Sequence, residues 1–172
     1  MVTTADVKAL RDATGAGVMD AKRALEEASG DFEAAKLVIQ QQGLASAAKR
    51  SGRETNQGIV VAYTHPAGKG GGRIGALVEL NCETDFVART DGFQALAHEI
   101  AMQVAAMNPI AITSEEIPSD IESDTEPMAL MEQNSIRDGS KTVGELVQDE
   151  IAKTGENIRV ARFSRFELGS SE

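Results

Sequence analysis

The hydrophobic period of this chain changes once, and that change limits the folds open to it. Up to about residue 47, apolar residues recur at the three-to-four spacing of helices and glycines divide them into short runs. From residue 59, runs rich in Val and Ile bounded by Gly and Pro take over, as strands require. A helical module followed by a part that holds a sheet is therefore predicted, with the polar, twice Gly-interrupted stretch at residues 48–58 as the linker.

The helical module divides into three. Thr3 or Thr4 can cap a first helix in which Val7 and Leu10 share a face, and the TGAG turn at residues 14–17 ends it. Ala21, Leu25 and Ala28 form the stripe of a second helix, broken at residues 29–31. Asp31 caps a third, with Phe32, Ala35 and Ile39 at helical spacing and Gly43 as its stop. Most apolar positions here are alanine, so the module buries little area and is expected to lean on the rest of the chain or on a partner.

In the second part, residues 59–63 and 74–80 are strands around a flexible hairpin tip, HPAGKGGGR. A phosphate loop is rejected there, because Lys69 precedes glycines and a strand where that motif needs a Ser or Thr and a helix. Phe93, Leu96, Ala97, Ile100, Ala101 and Val104 mark the strongest helix, which should cover one face of the sheet and end at Asn108-Pro109. Residues 110–112 are expected as a short edge strand, and residues 114–135 show no period. Thr142 with Glu145 forms a capping box for a last helix closed by Gly155. A final strand spans residues 157–168, its alternation slipping near Ala161 as at a bulge. The fold class is α+β: a three-helix domain at residues 1–54, then an α+β core at 55–172 with an antiparallel sheet packed against helices.

Charge and composition exclude several functions. The net charge of −10 speaks against nucleic acid as a direct ligand, since phosphate binding needs concentrated Lys and Arg. Residues 114–150 hold eleven acids against two bases, whereas residues 1–55 hold eight of each, so the excess belongs to one solvated late segment. No apolar run approaches the ~20 residues of a membrane span, and the N-terminus has no signal-like apolar stretch, so a cytoplasmic location is expected. The single cysteine cannot form an internal disulfide.

Chemistry concentrates in NCETDFVART, residues 81–90, between a strand and a helix. A Cys82 nucleophile would need a base, and the only histidines are His65 in the hairpin and His98 in the long helix. Cys82 is read as a small core hydrophobe. One Cys and two distant His give no zinc-ligand spacing, so no metal is expected. Glu83 and Asp85 would face the same way in an extended chain, but nothing else marks a substrate pocket, and no enzyme emerges. Phe86 and Val87 remain, apolar in a connection. Such side chains turn into the core or protrude toward a partner, and the polar Thr84 and Asp85 before them suit a rim around an aromatic anchor.

The motifs as a set resemble the bacterial elongation factor Ts family. VKALRDATGAGVMDAKRALEEASGDFEAAKLVI looks like its N-terminal segment, NCETDFVA like its most specific signature, and SKTVGELV and GENIRVARFSRFELG like its closing segments, together about four-fifths of the chain. The resemblance implies a ubiquitin-associated-like three-helix domain that docks on the GTPase domain of elongation factor Tu. It also implies a segment, Thr84, Asp85, Phe86 and Val87, that enters near the magnesium site of that partner and promotes GDP release. Asp85 and Phe86 would be the intruding pair. Leu10, Arg11, Gly15, Gly17, Val18 and Met19 match the docking surface, with Val18 where many relatives carry methionine. No cofactor is implied. The partner is elongation factor Tu, GDP-bound or nucleotide-free, and because short relatives pair as dimers a homodimer is a further candidate. An adaptor that ignores the bound nucleotide and a thiol enzyme using Cys82 are the competing classes.

Overall fold

The computed structural model of the chain describes residues 2–66, 71–121 and 128–170. Its first fifty residues form three helices, α1 (Thr4–Thr14), α2 (Val18–Glu27) and α3 (Phe32–Arg50). The starts of α1 and α3 are set locally by side-chain caps. The Thr3 hydroxyl accepts from the Asp6 amide at 3.2 Å while the Asp6 carboxylate accepts from the Thr3 amide at 2.9 Å, and Asp31 receives the Ala34 amide at 2.9 Å. Gly15, at φ +71°, takes the left-handed conformation that ends α1. Val7, Leu10, Ala21, Ala24, Leu25 and Ala35 are buried against one another, a small core as the alanine content requires.

Gly43 does not end α3, which continues to Arg50. The reason is tertiary. A Cβ at Gly43 would lie 3.4 Å from the Cβ of Ala152, so the glycine lets α3 pass close to another helix, and the extra turns carry Ala47 into the larger core. The irregular linker is accordingly shorter than its polar composition suggests, from Ser51 to the first strand at Gln57.

The second part is built on a three-stranded antiparallel sheet of β1 (Gln57–Pro66), β2 (Gly72–Cys82) and β3 (Ile158–Glu167), with β2 central. The expected hairpin is β1–β2; its tip, residues 67–70, lies outside the described residues. Glu79 pairs with Arg162 but Leu80 with Val160, which leaves Ala161 as the extra residue of a bulge where the sequence alternation slips. One sheet face packs on α5 (Asp91–Met107) and α6 (Val143–Thr154). The stripe of α5 from Phe93 to Val104 is buried, and so are Val78 and Leu80 beneath it. Full burial of a side chain of that size contributes about 1.5–3 kcal/mol. The other face is open, exposing Val60, Leu77 and Phe166.

Residues 110–112 are not an edge strand of this sheet. Among the described residues they bridge through Ala111 to Ala129, with Leu130 N donating to Ala111 O at 2.9 Å, so two stretches of the connector pair with each other instead. The connector is also stitched to α5. Gln103 donates to the Gln133 side chain and to Asn134 O, both at 3.1 Å, and accepts from Ile136 N at 2.9 Å. Both the amide pair and the main-chain bonds satisfy a glutamine that the hydrophobic pattern of α5 gives no reason to bury. Residues 122–127 of the acidic segment lie outside the described residues. The Thr142–Glu145 capping box and the Gly155 stop of α6 are present as expected.

Candidate partner-binding site

At the end of β2 the chain turns through Glu83 and Thr84 into α4 (Asp85–Ala88), a single helical turn, before Thr90 caps α5. The turn splits the Phe-Val pair. Phe86 is 80% exposed, whereas Val87 and Ala88 are buried in the large core. An α-turn forces this, because successive side chains point about 100° apart, and the core can receive only one side of so short a helix. Asp85 stands beside Phe86 and pairs with Arg89 at 2.9 Å across one turn.

Thr84 holds the start of the turn. Its hydroxyl accepts from Val87 N at 3.4 Å and donates to Glu156 Oε1 at 2.6 Å, while its amide donates to Glu156 Oε2 at 3.0 Å. Glu83 accepts from Asn157 N at 2.6 Å and from Arg53 at 3.3 Å. The two carboxylates are thus engaged by different partners, Glu83 by Asn157 and Arg53 and Asp85 by Arg89.

Cys82 is fully buried and its Sγ donates to Thr84 O at 3.1 Å. Burial, and after it the negative charge of Glu156, pushes its thiol above the ordinary value, the opposite of what a nucleophile needs. His65 and His98 both lie against Tyr63, six residues along β1 from the partner of Cys82, or about 20 Å at strand rise. Among the described residues no cluster of three or more His, Cys, Asp or Glu could hold a metal ion. No helix among them is long and apolar enough to cross a membrane.

The second group surrounds the α1–α2 turn. Val18 and Met19, at the start of α2, are 56% and 65% exposed, and Arg11 is exposed beside them. Val18 and Arg11 border a groove of ≈ 350 Å³ together with Val7, Lys8 and Lys22. Leu10 lies wholly inside the small core and supports this surface from beneath. Gly15 is backed by the Lys153 stem, where a Cβ would come within 3.0 Å, so the TGAG turn is seated on α6.

The sequence profile of the family described as Elongation factor TS matches residues 44–135 and 83–172. The elongation factor Ts of Leptospira biflexa serovar Patoc is 46% identical over 200 residues, covering 99% of this chain and 99% of that protein. The chain belongs to the elongation factor Ts family. Similarity extends to the elongation factor Ts of Carboxydothermus hydrogenoformans, 46% identical over 98% of this chain and 90% of the relative. It extends also to that of Thermotoga petrophila, 44% identical over 95% of this chain and 94% of the relative. The 200 aligned positions outnumber the 172 residues here, so the Leptospira elongation factor Ts carries segments that this chain lacks. Membership makes this chain a translation elongation factor.

Two residues of the site escape sequence reasoning. Glu156 follows a glycine stop and Asn157 reads as the first residue of the final strand, yet they reach across 72 and 74 residues to Thr84 and Glu83. The one available signal was a pair of polar residues between a helix stop and a strand, which does not say what they hold.

Proposed function

We propose that this chain is a cytoplasmic guanine nucleotide exchange factor that binds elongation factor Tu·GDP and promotes release of GDP, so that GTP can bind. The observation that carries the reading is Phe86, a large aromatic left in solvent on a turn whose neighbours are locked into the core. An exposed aromatic with rigid backing has the form of an interface anchor.

On a GTPase of this kind, GDP is held by P-loop amides and by a magnesium ion bridging phosphate and protein. Phe86 inserts between elements beside that site, Asp85 disturbs the polar network around the ion, and Thr84 and Val87 fix the turn that presents them. A partner that prefers the nucleotide-free state must, by linkage, loosen the nucleotide by the same factor. Residues 1–54 act as the docking domain, of the ubiquitin-associated kind. There Arg11, Val18 and Met19 make contact, and Leu10, Gly15 and Gly17 shape the surface. No bond in either protein is made or broken, so the chain acts without catalytic residues or a cofactor of its own.

The test is release of a fluorescent GDP analogue from elongation factor Tu. Wild type is expected to accelerate it, and Phe86→Ala to lose about 30-fold of the acceleration, as a hot spot of about 2 kcal/mol implies, while still binding. Binding without acceleration by wild type would move the reading to an adaptor. The open sheet face with Val60, Leu77 and Phe166 supports a homodimer as well, which sedimentation across a concentration series checks.

A further inference from the structure

The hydrogen bonds behind the Phe86 turn form a latch between three distant segments. Gly155, at φ +74°, turns the chain out of α6, and the next two residues each hold a different part of the molecule. Glu156 spends both carboxylate oxygens on Thr84, one on its amide and one on its hydroxyl. Asn157, buried to 4% exposure, donates its backbone amide to Glu83 at 2.6 Å. Its side-chain amide donates to Arg53 O at 2.9 Å and to Ser51 O at 3.3 Å, on the segment that leads out of α3. Arg53 closes the loop by pairing with Glu83.

From this geometry we infer that Glu156 is a positioning residue for nucleotide release, acting through Thr84 to hold the Phe86 turn ready for insertion, while Asn157 ties that turn to the helices of the docking module. The inference rests on the exchange reading above and deepens it. A four-residue helix cannot hold itself, since a helical nucleus costs more than its few bonds return. Here Val87 and Ala88 anchor only its buried side. Its N-cap hydroxyl is fixed from the other side, because donation to Glu156 leaves the Thr84 lone pairs to receive Val87 N. Bonds to a carboxylate are the stronger kind. Without the latch the turn samples other orientations, and the ordering cost falls on the step at which Phe86 enters the partner. Docking through Arg11, Val18 and Met19 precedes that step and involves other residues. Loss of Glu156 therefore slows release from the bound complex and leaves complex formation nearly intact.

Two measurements on the full chain test this. In the free protein, hydrogen exchange at the Thr84 and Val87 amides is expected to rise at least tenfold in Glu156→Ala, with the amides of α5 unchanged and Glu156→Gln, which keeps one acceptor, intermediate. Unchanged protection at Thr84 and Val87, or equal loss throughout α5, overturns the latch without reference to any partner. In the release assay, Glu156→Ala is expected to lower the rate at saturating factor about tenfold with affinity for elongation factor Tu·GDP within threefold. In the Phe86→Ala background the same substitution should cost less than twofold further, because both act through one group. An equal loss in both backgrounds, or a loss of affinity alone, overturns the positioning role. Absence of acceleration by wild type would instead count against the exchange reading and leave the latch, judged by hydrogen exchange, standing.

Discussion

Phe86 and the Val18–Met19 pair are both exposed apolar groups, but they stand on different foundations. The Phe86 turn is rooted in a core that includes Val78, Leu80, Phe93, Ile100, Val147 and Ile151, and its polar side is latched by Glu156 and Asn157. Val18 and Met19 sit on a unit whose buried set is Val7, Leu10, Leu25 and three alanines. The difference fits the two tasks proposed above, insertion and docking. A group that must force its way between elements of a partner needs backing that does not yield, whereas a surface that only docks can sit on a small unit and gain order from the contact.

The largest break in that contrast is expected from Phe93→Ala. This side chain is fully buried between α5 and the sheet, and its truncation should cost about 3–5 kcal/mol in denaturant unfolding. It should also loosen the Phe86 turn, since Val87 and Ala88 share that core. Leu25→Ala removes a comparable contact from the smaller core, and hydrogen exchange should then rise through α1 to α3 before it rises in the sheet. If both variants unfolded the whole chain in one step with equal loss, the two foundations would be one.

A smaller effect separates docking from insertion. Val18→Ala and Met19→Ala should each weaken affinity for elongation factor Tu by about fivefold, near 1 kcal/mol, while release at saturating factor stays at the wild-type rate. A reduced rate at saturation would place these residues in the insertion step as well.

The smallest effect concerns the capping box at the start of α1. Hydrogen bonds from Thr3, first its hydroxyl and then its backbone amide, hold the Asp6 carboxyl below the ordinary value. A depressed folded pKa means that the stabilisation is complete above the unfolded value and is lost as pH falls through the folded one. Acidification below about pH 4 should therefore expose the first-turn amides of α1 to exchange, and Asp6→Asn should show that exposure already at neutral pH. An unchanged pH dependence in Asp6→Asn would mean that the box does not set the start of α1.

Much of this could be read from the sequence because it is decided within a few residues. Thr3, Asp31 and Thr142 cap helices through bonds three positions away, Gly15 and Gly155 stop them, and the stripe from Phe93 to Val104 states which face of α5 is buried. Even the bulge at Ala161 is visible as a slip in a two-residue period. The family resemblance rests on the same local strings. Gly43 misled because a glycine marks either a helix stop or a close approach, and Ala152, 109 positions on, decides which. Residues 110–112 misled because a short apolar run does not name its pairing partner, which proved to be the connector and not the sheet.

The sequence by itself determined where most helices begin and where several of them stop, roughly where the three strands lie, and that the run from Asn81 would join a strand to a helix, since these follow from caps, stops and period. Only the tertiary structure decided that Phe86 faces solvent while Val87 faces the core. The same holds for Glu156 and Asn157 gripping the turn and for α3 running on to bring Ala47 into the large core. The grip on the turn depends on hydrogen bonds across 72 and 74 positions, the burial of Val87 and Ala47 on packing against elements they meet only in the fold, and no local pattern encodes the partner at the other end.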